Sequence, residues 1–108
     1  MILKPVIPRR QANLDVQEAI DHYLDEAGEK ITLGFVEQLE RAYKHIAAHP
    51  ASGSSRYAHE LDLPGLRFRP LGRYPHLVFY LDCENHIDVW RVLHGKRDIP
   101  GWMRGSNV

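Results

Sequence analysis

Only one cysteine, Cys83, stands among the 108 residues. It cannot form an internal disulfide, and no second cysteine gives it metal-ligand spacing. Nothing in the sequence therefore calls for an oxidising compartment. No apolar run approaches the roughly 20 residues that a membrane-spanning helix needs. Met1–Pro5 also lacks the long apolar core of a secretion signal, so the expected location is the cytoplasm. Charge of one sign is missing as well: Lys plus Arg and Asp plus Glu are 14 each, a formal net charge of zero. That balance argues against a dedicated non-specific nucleic-acid binder, although a local basic site remains compatible with it. There are no internal repeats, and the only biased stretch is the short Ser52-Gly53-Ser54-Ser55.

What is present fits one soluble domain spanning 1–108, with 95–108 as a C-terminal tail. Apolar residues make up 44% and charged residues 26%, ordinary proportions for a globular protein. Leu3 to Pro8 is short and apolar, and its prolines suit an edge strand. Ala12, Val16, Ala19, Ile20, Tyr23, Leu24 and Ala27 then recur at helical spacing, with Gly28 as the stop. A second helix runs from about Glu29 to His49 on a stripe of Ile31, Phe35, Leu39, Ala42 and Ile46, widened by Val36 and Tyr43; Pro50 ends it. The short link at Gly28 implies two antiparallel helices packed stripe to stripe. Ala51 to Tyr57 reads as an exposed loop.

The second half changes period. Leu66 and Phe68 alternate with Arg67 and Arg69, and Gly72-Arg73-Tyr74-Pro75 reads as a turn. Leu77–Leu81 is a continuous apolar run that suits a central strand buried on both faces. After a polar connection at Asp82–Asn85, a third strand from His86 to Leu93 places Ile87, Val89, Arg91 and Leu93 on one face and Trp90 and Val92 on the other. The expected architecture is α+β: an N-terminal strand, an antiparallel helical hairpin, then a three-stranded antiparallel meander, with the helices on one face of the sheet. The other face would stay open and apolar, a surface for a partner.

The meander carries a specific likeness. Gly65, Leu66 and Arg67 lead to Tyr74, Phe79 and Tyr80, and then to Arg91, Val92, Leu93, His94, Arg97, Asp98 and Ile99. This pattern closely resembles the signature of ParE-type toxins in the RelE/ParE superfamily. Ala12, Asp15, Val16 and Tyr23 on the first helix are similar too, and the order of elements agrees along nearly the whole chain. The resemblance implies the toxin half of a type II toxin–antitoxin pair. A cognate ParD-like antitoxin would neutralise it in a hetero-oligomer, and DNA would be met only indirectly, through that antitoxin. ParE-type toxins act on DNA gyrase, whereas RelE-type relatives cut messenger RNA on the ribosome. A co-repressor that binds antitoxin without toxicity is a third possibility.

Arg69, Arg73, Arg91, His94, Lys96 and Arg97 are the candidate target-binding residues. For a nuclease, Arg91, His94 and Arg97 would carry the chemistry, since phosphate cleavage needs acid–base groups and charge stabilisation. The tail has no tyrosine after Tyr80 of the kind RelE-type enzymes use, so the expectation is a toxin that is not an enzyme. A structural role competes for the same residues: Arg91 could pair with Asp98 or another carboxylate, His94 could be a local hydrogen-bonding residue, and Arg97-Asp98 could anchor the tail. Candidate antitoxin-binding residues are Tyr23, Phe35, Tyr43, Trp90, Val92 and Trp102. The acidic run Asp15, Glu18, Asp21, Asp25 and Glu26 reads as a solvated helix face. His45 and His49 have i, i+4 spacing but no surrounding zinc motif, so neither a metal nor a cofactor is expected.

Overall fold

The computed structural model describes residues 3–105. Met1, Ile2 and the last three residues of the expected tail, 106–108, lie outside the described residues. The elements are β1 (Val6–Pro8), α1 (Arg10–Glu26), α2 (Glu29–Ala48), a 3-10 turn at Pro50–Ser52, α3 (Arg56–Glu60), β2 (Arg67–Leu71), β3 (Tyr74–Asp82), β4 (Ile87–His94) and α4 (Ile99–Gly105). The strands form one mixed sheet in the order β1-β4-β3-β2. The antiparallel meander β2-β3-β4 is the one the sequence predicts, and β1 joins it parallel to β4. β1 is an edge strand, as its prolines require, but only Val6–Pro8 pair.

The helical hairpin follows from the apolar spacing. Gly28, at φ 88°, donates its N–H to the Tyr23 carbonyl at 2.9 Å and closes α1; glycine adopts that left-handed backbone without side-chain strain. Phe35, Leu39, Ala42 and Ile46 of α2 are buried as expected. Ile31 is not, being 43% exposed, and Thr32 takes its place facing inward, its hydroxyl donating to the Gly28 carbonyl. These helices cover one sheet face through a core that also holds Ala12, Ala19, Val78, Tyr80, Ile87, Val89 and Val92.

The other face is not open. α3, the turn after it and α4 cover it, with Leu66, Phe79, Trp90, Leu93, Ile99 and Met103 forming a second core. The chain thus has helices on both faces, the long hairpin on one and two short helices on the other. β3 serves both cores, Val78 and Tyr80 on one side, Leu77, Phe79 and Leu81 on the other.

A bulge in β4 changes its phase. Phe79 pairs with Arg91, but the next residue, Tyr80, pairs with Val89, so Trp90 is extra. Before the bulge, Ile87 and Val89 face the helical hairpin; after it, Val92 does, and Leu93 crosses to the second core. The expected grouping of Leu93 and Arg91 with Ile87 and Val89, and of Val92 with Trp90, is therefore corrected.

The expected loop at Ala51–Tyr57 is also pinned rather than free. Ser54 bridges Phe68 of β2 by two backbone bonds of 2.9 Å. Gly53 is buried, donating its N–H to the Tyr80 hydroxyl at 3.1 Å, while that hydroxyl donates to the Pro50 carbonyl at 2.7 Å. A Cβ at Gly53 would collide with the same hydroxyl, so only glycine permits this approach.

Candidate functional site

β1 ends at the Pro8–Val89 pair, which leaves the rest of β4 without a strand neighbour on that side. α1 supplies the missing acceptor. The Asp15 carboxylate takes the Val92 N–H at 3.0 Å and pairs with Arg91 in a fork, from Nε at 2.7 Å and Nη2 at 2.8 Å. Both side chains are about 5% exposed, so charge, hydrogen bonds and burial act together. Arg91 also donates to the Trp102 carbonyl at 3.2 Å, which ties α1 and α4 to the same strand. Asp15 is therefore an inward-facing anchor and not part of a solvated acidic face. Arg91 pairs with Asp15 and not with Asp98, whose carboxylate accepts the Gly101 N–H at the start of α4.

Beside this pair lies a cavity of about 580 Å³, bounded by α1, the ends of β3 and β4, and the segment leading into α4. Asp15, Glu18, His22 and Tyr23 line it from α1, His76 from β3, and His94, Lys96, Arg97 and Trp102 from β4 and beyond. His76 and His94 are cross-strand partners, with ring centroids 5.5 Å apart. His76 is buried against Phe35 and Tyr23, and its Nδ1 has no hydrogen-bond partner. Burial, reinforced by His94, Arg97 and His22, pushes its pKa down to about 4, so it is neutral at neutral pH. His94 is half-buried, and its Nδ1 accepts the Lys96 N–H at 3.1 Å. When neutral, His94 thus carries its proton on Nε2.

Charges around the cavity are largely matched. Arg91 answers Asp15, and Arg97 approaches Glu18 at 3.7 Å. The Arg97 guanidinium also stacks 4.1 Å from the centroid of Trp102, and Arg91 lies 5.3 Å from the same ring.

Of the six candidate target-binding residues, His94, Lys96 and Arg97 meet at this cavity, and Arg91 is held beside it by Asp15. Arg69 on β2 and Arg73 in the β2–β3 turn do not line it. Of the candidate antitoxin-binding residues, Tyr23 and Trp102 reach the cavity. Phe35, Trp90 and Val92 are core residues, 0%, 6% and 2% exposed, and offer no surface in this fold, which corrects that expectation. Trp90 is enclosed by α4 on one side and by Arg9, whose guanidinium lies 4.0 Å over its ring. Tyr43 is half-buried, its hydroxyl enclosed without a partner; burial and then the Asp15 charge push its pKa up to about 12. Asp15, which the sequence pattern reads as part of a solvated face, and His76, which it does not single out, are both site residues.

An antiparallel meander backed by a helical hairpin, with a histidine-rich cavity of mixed charge where the last strand ends, defines a small α+β domain. Residues 6–99 match the family model described as "ParE toxin of type II toxin-antitoxin system, parDE", and the chain belongs to that family. Among solved structures, the fold is similar to a chain of the chromosomal ParDE TA system from P. aeruginosa. That similarity has a TM-score of 0.70 at 22% identity and covers 85% of this chain and 96% of the other. No curated protein matches the sequence. Among the described residues, no helix is long and apolar enough to cross a membrane.

Proposed function

We propose that the chain inhibits DNA gyrase by protein–protein contact, without being an enzyme, and that a cognate ParD-like antitoxin neutralises it. The observation that carries this reading is the internal pairing of charge around the cavity. Asp15 occupies Arg91 and Glu18 draws Arg97, so a polyanionic phosphate backbone would meet carboxylates as well as cations. A mixed polar rim around an exposed tryptophan suits a protein surface better. The antitoxin would find apolar surface on the exposed Leu14, Leu24, Ile31 and Leu33 of the hairpin, and on Ile7 of edge strand β1.

One observation favours a second reading, a ribosome-dependent nuclease: His76 and His94 face each other in the cavity with Lys96 beside them, as acid–base chemistry would need. Gyrase supercoiling and messenger-RNA cleavage on ribosomes, assayed with the same preparation, separate the two. The expected outcome is blocked supercoiling with intact messenger. Cleavage with unaffected gyrase would establish the nuclease instead. Harmless expression in the absence of antitoxin would leave operon co-repression as the role.

A further inference from the structure

At the far end of the sheet from the cavity, the β3–β4 hairpin brings together three side chains of different ligand types. Cys83, His86 and Asp88 each place a donor atom within 4.8 Å of the other two. The backbone fixes their arrangement. The Cys83 N–H donates to the His86 carbonyl at 2.9 Å, so these two face each other across the hairpin end. His86 immediately precedes β4, and Asp88 is the second residue of that strand. All three are half-buried, open enough for an ion to enter.

Asp88 is already oriented by its neighbours. Arg9 donates Nε to Oδ1 at 3.0 Å and Nη2 to Oδ2 at 2.9 Å, and the Trp90 indole donates to Oδ2 at 3.1 Å. A carboxylate offers about four lone-pair positions. Three are taken, and the remaining one is on Oδ1. Arg9 and Trp90 thus stand where the outer hydrogen-bond partners of a metal-bound carboxylate stand. The Arg9 charge is itself matched by Asp88.

We propose that Cys83, His86 and Asp88 form a binding site for a thiophilic divalent transition ion, Zn²⁺ in the first instance. Thiolate plus imidazole selects such an ion over Mg²⁺ or Ca²⁺. Tetrahedral zinc holds its ligands at about 2.0–2.3 Å, roughly 3.5 Å from one another. The side chains of Cys83 and His86 at a hairpin end need to move only about 1 Å to reach that arrangement. Three protein ligands leave the fourth position to water. The site departs from the expectation of no metal, which weighed the lone cysteine and the His45/His49 pair and not Cys83-x-x-His86-x-Asp88.

Cobalt(II) is the direct probe, because a cysteine ligand gives a thiolate-to-cobalt absorption band in the near ultraviolet. The 108-residue chain, kept reduced with a phosphine, is titrated with Co²⁺ at neutral pH. The expected result is this band saturating at one equivalent and abolished by added Zn²⁺. Cys83→Ser should remove the band, and His86→Ala should weaken binding about tenfold or more. Both positions lie beyond the last β3–β4 ladder pair, and circular dichroism verifies that the variants stay folded. A His45→Ala/His49→Ala double variant should bind as the parent does. Absence of the band in the parent chain overturns the proposal, as does a band undiminished in His86→Ala. Metal uptake that survives Cys83→Ser but disappears in the His45/His49 variant also overturns it, by assigning the binding to α2.

Discussion

The least replaceable residue near the cavity is Arg91, and its importance is to stability first. Arg91→Ala would strand a buried Asp15 carboxylate, a change that costs about 3–5 kcal/mol in comparable sites. Urea unfolding should register that loss, and any drop in toxicity of this variant then reports folding and not target contact. His94 is the better functional probe, because it is half-buried and, among the described residues, its side chain's one hydrogen bond is from the nearby Lys96 N–H. His76 makes the fold sensitive to acid. Its pKa in the folded chain is about 4, against 6.5 for an ordinary histidine. As pH falls below 6.5, the unfolded chain binds a proton that the folded chain refuses. The stability is fully present above pH 6.5 and is lost as pH falls toward about 4. At about 1.4 kcal/mol per pH unit, the loss is at most about 3–4 kcal/mol. Unfolding midpoints measured at pH 7.5, 6 and 5 should therefore fall, and His76→Phe should flatten the trend.

At the scale of elements, the hairpin helices and the meander were legible because each runs long enough to display its period. α3 and α4 were not. They have five and seven residues, less than two turns each, and α4 contains Pro100 and Gly101, which argue against a helix on local propensity. α4 forms because Ile99 and Met103 fill the second core, a tertiary gain that no local pattern announces. Met103→Ala should accordingly destabilise the protein by about 2–5 kcal/mol. Limited proteolysis should then cut first in the Gly95–Asp98 connection, and unchanged resistance would show that α4 contributes little. The candidate site was half legible. His94, Lys96 and Arg97 are consecutive enough to be read as a group, but Asp15 sits among other acids and looks solvated until its partner, 76 residues away, is seen. His76 was hidden between an expected turn at Gly72–Pro75 and an expected strand from Leu77, whereas β3 begins at Tyr74.

For the molecule as a whole, zero formal net charge and internally paired cations leave little to attract duplex DNA. Gel-shift titration at physiological salt should show no operator binding by the chain alone and binding once the antitoxin is added; retardation by the chain alone would refute this. The single extra residue in β4 has a wider effect than its size suggests. Were Trp90 paired regularly opposite Phe79 instead of bulged out, every side chain after it would change face. With Val89 still opposite Tyr80, Val92 would turn toward α4, Leu93 toward the long helices, and His94 would leave the side it shares with His76. The meeting of two imidazoles thus depends on a counting irregularity in the strand as much as on the histidines themselves. A relative one residue shorter at this point would hold the same faces with an unbulged strand.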